Sequence, residues 1–397
     1  MVKVAKASSK GAQYKNFLSK PAASYFMILV SVSSLSGLGL VMVLSASSVT
    51  SLEQSGNAYS IFLKQLLFLI MGVGLATWGA LIPTSKWLGM ARLSLIAGGV
   101  ALTLPILIGK TIGGNKNWIG FGSFLIQPSE FAKMALILYC ALMLRRHEER
   151  LAAGRKSQAW IHLAPGAGLF ILLIMAGKDL GTAMIVAGIV VALLFISGID
   201  MKSIIIVAGT LLIGATALAI NQPSRMRRFR AVIDPFAPAV YKFAGWQPAH
   251  SLMSLASGGI FGVGIGASKQ KWANLSEAHT DFIFSVIGEE MGLIGTVAVI
   301  SLYTVLIFAI FRVAVHTKDS FSKYAVTGIG SWLILQVLVN LLTDVGLVPV
   351  IGVTLPFISY GGSSLISNFL GIAFVLNVAR QEPELKALIR ERKAARS

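Results

Sequence analysis

Residues 25–44 read YFMILVSVSSLSGLGLVMVL, and this stretch of twenty residues contains no charged side chain. A helix rises about 1.5 Å per residue, so the stretch is long enough to cross the roughly 30 Å hydrocarbon core of a bilayer. It is too long for the apolar core of a signal peptide, and no convincing cleavage site follows it. The stretch therefore predicts a retained first membrane span.

Nine more apolar runs follow along the chain. They lie at roughly 60–82, 87–108, 128–144, 162–177, 180–197, 203–221, 282–311, 324–345 and 362–379. Ten spans return the chain to the side on which it began. The sequence therefore predicts an all-α polytopic membrane protein with about ten transmembrane helices and both termini on one side.

The composition of the whole chain favours the same fold class. Of its 397 residues, 55% are hydrophobic and 13% are charged, whereas soluble domains average about 45–50% and about 25%. So little charge cannot cover a soluble globule, which excludes a soluble enzyme and a disordered protein. Cys140 is the only cysteine, which excludes a disulfide scaffold.

The net charge of +18 lies mainly in the segments between alternate spans. Of the 34 lysines and arginines, 22 lie in 1–22, 83–92, 145–158, 198–202, 312–323 and 380–397. Basic residues hold loops in the cytoplasm, so this distribution predicts cytoplasmic termini and requires no nucleic-acid partner. The chain divides into a basic cytoplasmic tail (1–22), a membrane domain (23–380) and a second basic cytoplasmic tail (381–397).

One extracytoplasmic loop is large. The topology places 45–59, 109–127, 177–179, 222–280 and 346–361 outside. The loop 222–280 is rich in aromatic residues and has glycines clustered at 258–266, so it is expected to contain short helices or a re-entrant segment rather than a structureless linker. The glycine cluster resembles a nucleotide-binding loop only superficially, because it follows no βαβ strand.

Acidic residues near or within spans are the first candidates for function, because each is costly there. Asp281 lies where the outer loop meets a span, and at about 100° per residue it tops a stripe of small residues. The stripe consists of Ser285, Gly288, Gly292 and Gly295. The alternative interpretation is a first-turn acid that the helix dipole favours. The stripe alone does not decide between the two.

Four other acids have structural interpretations. Glu289 and Glu290 lie farther along the same predicted helix and are expected to pair with a buried base. Glu130 and Lys133 are three residues apart on a predicted helix and can form an ion pair. Asp179 is typical of an N-cap that opens a span.

Two features could hold a phosphate. Arg225, Arg227, Arg228 and Arg230 form a basic cluster that fits either lipid head groups or a polyprenyl pyrophosphate, and the first three are the substrate-binding candidates. The second feature opens the last span: Ser359, Gly361, Gly362 and Ser363. It either offers backbone N–H groups to an anion or lets helices pack closely. No motif for a metal or for ATP occurs.

Several motifs together resemble the SEDS family (shape, elongation, division, sporulation), most closely its cell-division branch. They are Met42–Ser47, Trp118-Ile119, Gln127–Glu130, Asp179–Ala183, Ser257–Gly259, Gln270–Trp272, Glu277–Phe282, Gly288–Glu290 and Leu355–Ser364. The resemblance spans about 41–380. Departures from the family pattern occur at Ser276, Lys178, Asn117 and Asp344.

The resemblance implies a peptidoglycan glycosyltransferase in the bacterial cytoplasmic membrane, at the division septum. Such an enzyme polymerises lipid II on the outer face, releases undecaprenyl pyrophosphate, and works with a class B penicillin-binding transpeptidase and other division proteins. Asp281 matches the catalytic aspartate of the family. Glu130 and Lys133 are implied near the same cavity, and His279 is added to the substrate-binding candidates.

Three alternatives stay open at this stage: a lipid II flippase, a non-catalytic scaffold for the transpeptidase, and an elongation-type relative. Hydropathy cannot separate a transferase from a transporter. No cofactor is evident, although a divalent cation (Mg²⁺ or Mn²⁺) that bridges pyrophosphate and a carboxylate is compatible with the sequence.

Overall fold

The computed structural model describes residues 22–112, 114–122, 124–220, 223–272, 274–382 and 385–386. The two predicted basic tails lie almost entirely outside these residues. The helices are α1 (Ala22–Ser55), α2 (Ser60–Gly79), α3 (Thr84–Ile108), α4 (Pro128–Ala152), α5 (Ala159–Ala176), α6 (Leu180–Ile196), α7 (Met201–Ile220), α8 (Pro223–Ile233), α9 (Pro238–Tyr241), α10 (Trp246–Gly258), α11 (Ile283–His316), α12 (Ser320–Asp344) and α13 (Gly362–Ala379).

Each of the ten predicted apolar runs coincides with one long helix. Among the described residues, seven helices are long and apolar enough to cross a membrane: α1, α2, α3, α5, α11, α12 and α13. The helices α6 and α7 are apolar but offer shorter stretches, and α4 carries buried charges. A helical membrane fold is therefore present, while ten as the number of spans stays a prediction.

The helices form one bundle with α12 and α13 at its centre, because most of their residues are buried. At one end, Arg145 lies 3.9 Å from Asp319, and Asn377 Nδ2 donates to Ala80 O at 3.0 Å. At the opposite end, the loops 109–127, 177–179, 222–280 and 346–361 contact one another. Segments predicted to share a side of the membrane therefore meet, and the assignment of the cytoplasmic side stays a prediction from charge.

The loop 109–127 contains a small antiparallel sheet that the all-α prediction did not include. Its strands are β1 (Lys110–Ile112), β2 (Asn115–Phe121) and β3 (Phe124–Ile126), in the order β1-β2-β3. Lys110 pairs with Trp118, and Ile119 pairs with Ile126. The strands β1 and β3 give a weak sequence signal, because three residues cannot display an alternating pattern.

The first helix is longer than its apolar run. Helix α1 continues from Leu44 to Ser55, where the sequence predicted a loop. Ser45, Ser47 and Ser51 are buried in this extension. The polar segment stays helical because it packs against protein rather than lipid.

Helix α11 is broken at Gly292, where φ is 66° and ψ is −161°. The gap is filled by the segment 259–264, whose backbone forms hydrogen bonds on both sides of the break. Val263 N donates to Glu289 O at 2.9 Å, and Leu293 N donates to Gly259 O at 2.9 Å. A Cβ atom at Gly292 would lie 2.5 Å from Ile260 O, so glycine is required by this close approach as well as by its φ.

This break corrects one sequence interpretation and explains part of the glycine cluster. The stripe of small residues below Asp281 was wrong as a continuous helical stripe, because α11 begins only at Ile283 and is interrupted at Gly292. Within the glycine cluster at 258–266, Gly258 and Gly262 are in close backbone contact with α11, which gives a structural reason for part of a pattern that resembled a nucleotide-binding loop.

Candidate active site

Asp281 lies in the turn that precedes α11, at the end of the bundle where the large loops meet. Glu277 begins this turn with φ of 61°, and its carbonyl accepts hydrogen bonds from Thr280 N at 3.1 Å and Phe282 N at 3.3 Å. Asn340 Nδ2 donates to Asp281 O at 2.7 Å. The backbone of the candidate base is therefore held both within its turn and by α12.

The carboxyl group of Asp281 is only partly accessible. Its Oδ2 faces Gly352, where a Cβ atom would lie 3.6 Å away. Among the described residues, no side chain donates a hydrogen bond to this carboxylate. Burial, the largest cause, and the nearby Glu277 carboxylate raise the pKa of Asp281, the Arg228 guanidinium lowers it, and the net value is about 7. A carboxyl with this pKa can exchange a proton near neutral pH.

The arginine cluster lies on α8 and reaches the loops around Asp281. Arg228 Nη1 donates to Val350 O at 2.9 Å, and Arg225 Nη2 donates to Lys178 O at 3.2 Å. The guanidinium of Arg227 lies 6.0 Å from the ring of Phe243. The cluster is thus divided: Arg225 and Arg228 contact two outer loops, and Arg227 contacts an aromatic ring.

Glu130 and Lys133 form an ion pair in the interior of the bundle. Lys133 Nζ lies 2.9 Å from Glu130 Oε1 and 3.2 Å from Gln336 Oε1, and 4.8 Å from the centre of the Trp332 ring. Lys133 is 1% exposed. In this structure Lys133 therefore does not line an open cavity, and its accessible surface is too small for a direct contact with phosphate.

Two amides of α12 connect this ion pair with Asp281. Gln336 Nε2 donates to Thr354 O at 3.0 Å, and Asn340, one turn later, donates to Val353 O at 2.8 Å as well as to Asp281 O. Neither Gln336 nor Asn340 was among the site residues predicted from the sequence. The available signal was two uncharged amides four residues apart inside a predicted span.

The residues that open α13 use their polar groups within the protein. Ser359 Oγ donates to Thr280 O at 2.6 Å, and Ser363 Oγ accepts from Gln127 N at 2.9 Å. A Cβ atom at Gly362 would lie 2.5 Å from the ring of Phe68. This contact favours the interpretation that the glycine at 362 lets two helices pack closely. The neighbouring Gly361 has an extended backbone, with a φ of 171°.

His279 lies in the turn that carries Asp281 and contacts Tyr360, just before α13. Its carbonyl accepts from Tyr360 N at 2.9 Å, and the two rings lie 5.6 Å apart. Burial lowers the pKa of His279. The neutral ring is therefore favoured at neutral pH.

Glu289 and Glu290 belong to a separate cluster beside the break in α11. Glu290 Oε1 lies 3.3 Å from Lys271 Nζ and accepts from Ser45 Oγ at 2.7 Å. Glu289 accepts from Ser268 Oγ at 2.6 Å. Lys271, which precedes Glu290 by 19 residues in the sequence, is the buried base beside this pair. Through these contacts the two acids connect the large loop to α11 and α1.

Asp179 caps α6, because its Oδ1 accepts from Thr182 N at 3.0 Å. Its Oδ2 accepts from Asn117 Nδ2 at 2.6 Å and from Gln127 Nε2 at 3.1 Å. Asp179 therefore joins the loop 109–127 to the start of α6, at the same end of the bundle as Asp281.

Residues 25–384 match the model of the FtsW/RodA/SpoVE family, which is described as "Cell cycle protein". The chain belongs to this family. It is therefore a multi-pass membrane protein of the SEDS type, as the motifs of the FtsW/RodA/SpoVE family in its sequence indicate.

Individual members of the FtsW/RodA/SpoVE family cover most of the chain. A probable peptidoglycan glycosyltransferase FtsW of Coxiella burnetii is 36% identical over 362 residues, which are 89% of this chain and 95% of the relative. Stage V sporulation protein E of Bacillus subtilis is 32% identical over 348 residues, 86% of this chain and 93% of the relative.

Two solved structures are similar to the bundle. One comes from a study titled "Structural coordination of polymerization and crosslinking by a peptidoglycan synthase complex"; it has a TM-score of 0.72 and 28% identity, covering 90% of this chain and 98% of that chain. The other is the rod shape determining protein RodA of Thermus thermophilus, with a TM-score of 0.66 and 27% identity, covering 90% of this chain and 96% of that chain.

Proposed function

We propose that the chain is a peptidoglycan glycosyltransferase that polymerises lipid II on the outer face of the bacterial cytoplasmic membrane. The observation that carries the proposal is a partly accessible carboxyl group, Asp281, whose pKa is about 7 and which stands at the end of the bundle where the outer loops meet. Membership in a family with members named peptidoglycan glycosyltransferase supports the reaction class.

Asp281 acts as the general base. It takes the proton from the 4-hydroxyl of the acceptor's N-acetylglucosamine while that oxygen forms a bond to the anomeric carbon of the donor. The bond from that carbon to the pyrophosphate oxygen breaks, and undecaprenyl pyrophosphate leaves. A base with a pKa near the working pH combines a large ionised fraction with proton affinity.

Arg228 stabilises the negative charge of the departing pyrophosphate. A guanidinium has five N–H donors, so the single bond to Val350 O leaves donors for phosphate oxygens. The positive charge of Arg228 also interacts with Asp281 and therefore lowers the pKa of that carboxyl group. Arg225 and Arg227 extend the basic surface, and Arg recognises phosphate bidentately.

Glu130 and Lys133 support the site from the interior. Their burial and their connection through Gln336 to the 353–354 segment fit a role in holding that segment in place. The swap Glu130→Lys with Lys133→Glu tests this role: polymerisation should persist if the pair acts only locally, and it should stop if Lys133 must meet pyrophosphate during turnover.

We further propose a class B penicillin-binding transpeptidase as the partner and the division septum as the location, with other division proteins present. The similar structure from a peptidoglycan synthase complex supports a partner of this kind. Among the described residues no group of three or more His, Cys, Asp or Glu side chains could hold a metal ion. A divalent cation that bridges the substrate pyrophosphate and a carboxylate stays a proposal, and adding a chelator to the assay tests whether polymerisation requires such a cation.

The deciding experiment incubates purified protein with lipid II in detergent and measures glycan chains. Wild-type protein should form polymer, Asp281→Asn should form essentially none, and the matched control Glu277→Gln should retain activity because Glu277 is exposed on the same turn. Polymer formed in detergent, which offers no separate leaflets, excludes a pure flippase. Wild-type polymer from Asp281→Asn would refute the assignment of the base.

A further inference from the structure

Asp344 is a buried carboxylate that the proposed reaction does not use. It is the last residue of α12 and is 0% exposed. Its Oδ2 accepts hydrogen bonds from Ser285 N at 2.9 Å and from Ser285 Oγ at 3.0 Å. Within the part of the chain that the structure describes, its Oδ1 has no hydrogen-bond partner. The side chain therefore directs both of its hydrogen bonds to one residue of α11.

Ser285 lies in the first turn of α11, where backbone N–H groups lack intrahelical acceptors. The N-cap residue is Phe282, whose side chain forms no capping hydrogen bond. Ser285 N is shared between Phe282 O at 3.1 Å and Asp344 Oδ2. Asp344 therefore caps the first turn of α11 from another helix, at Ser285, which is four residues after Asp281.

Helix α12 holds the turn at two points. Asn340 contacts Asp281 O, and Asp344 contacts Ser285, so the two contacts are four residues apart in both segments. Ser251 of α10 joins the second contact, because its Oγ donates to Asp344 O at 2.6 Å and lies 2.6 Å from Ser285 Oγ. The turn that carries the base is thus fixed on both sides of Phe282.

We infer that Asp344 is a positioning residue, which orients Asp281 by holding the first turn of α11 against α12. The inference rests on the proposed role of Asp281 as the base. A base must be within hydrogen-bond reach of the proton that it takes, and a displacement of about 1 Å can cost roughly 100-fold in rate. Removal of Asp344 eliminates one of the two contacts and lets the turn move.

The kinetic test compares Asp344→Ala and Asp344→Asn with a matched control, Asp319→Ala. Asp319 Oδ2 accepts the same pair of bonds, from Ser322 N at 2.9 Å and Ser322 Oγ at 2.7 Å, at the opposite end of α12. Asp344→Ala should lower kcat for lipid II polymerisation about tenfold or more while KM changes less than about twofold. Asp344→Asn should regain most of the rate, because its amide oxygen still accepts from Ser285 N. Asp319→Ala should keep the wild-type kcat.

Hydrogen exchange of the amides 281–286, measured by mass spectrometry on the same full-length proteins, supplies a readout that does not depend on catalysis. Exchange should be faster in Asp344→Ala and unchanged in Asp319→Ala. Wild-type exchange and kcat in Asp344→Ala would overturn the inference, as would an equal loss of kcat in both alanine variants.

The two proposals fail separately. If the wild-type protein makes no polymer, either alone or with the proposed transpeptidase partner, the proposed function is wrong, and the exchange rates alone decide the positioning role. If Asp344→Ala does not fold, Asp344→Leu takes its place, since it fills the buried site and offers no acceptor to Ser285 N; wild-type kcat and exchange in that variant would overturn the inference.

Discussion

The pKa of Asp281 leads to a prediction about the pH dependence of polymerisation. Because the ordinary value of 3.8 is raised to about 7, the carboxylate should be about one tenth ionised at pH 6 and about one hundredth ionised at pH 5. The value of kcat/KM for lipid II, which reports the pKa values of the free enzyme, should therefore fall about tenfold per pH unit below 7. An aspartate with an ordinary pKa would give a flat profile over this range.

Two neighbouring charges should move this profile in opposite directions. Arg228 lowers the pKa of Asp281, so Arg228→Gln should shift the acidic limb to higher pH. Glu277 raises the pKa, so Glu277→Gln should shift the limb to lower pH. Gln at 277 can still accept the hydrogen bond that Thr280 Oγ1 now donates at 2.8 Å, so this variant isolates the charge.

The assay measures initial rates of glycan formation by purified protein from pH 5 to pH 8.5, at constant ionic strength. Asp281→Asn supplies the baseline, and melting temperatures at each pH exclude unfolding as the cause of lost activity. A flat wild-type profile, or shifts of the same sign in the two charge variants, would refute the reasoning that Asp281 is the group that titrates.

Three further predictions concern stability in detergent, measured by thermal unfolding. Gly292→Ala should destabilise the protein strongly because of the φ of 66° and the contact with Ile260, whereas Gly209→Ala, which meets nothing within 4 Å, should not. Lys271→Met leaves Glu290 buried without its cation and should cost about 3–5 kcal/mol; adding Glu290→Gln should recover part of that loss. Asp281→Asn should raise the melting temperature at pH 8 but not at pH 4, because a carboxyl with a raised folded pKa loses stability as pH increases from its unfolded pKa to its folded pKa; equal effects at both pH values would contradict this.

Local patterns in the sequence predicted the helices because their cause is local. A lipid environment requires every backbone polar group to be hydrogen-bonded within the protein, and a single apolar run of twenty residues such as 25–44 meets this requirement by itself only as a helix. Asp179 caps α6 through Thr182, and Glu130 pairs with Lys133. In both cases the partners are three residues apart, a spacing that helical geometry itself brings into contact. The motif Glu277–Phe282 identified the candidate base through resemblance to a family.

The tertiary structure alone decided the features that depend on distant partners. The break at Gly292 exists because the segment 259–264 inserts its backbone there, and helical periodicity, which assumes a continuous helix, could not predict it. Lys271 meets Glu290 and Asp344 meets Ser285 across 19 and 59 residues. Sequence showed that these buried groups need partners, since a charge in an apolar interior is costly. Which groups satisfy them depends on how the helices pack, and packing is a property of the whole bundle.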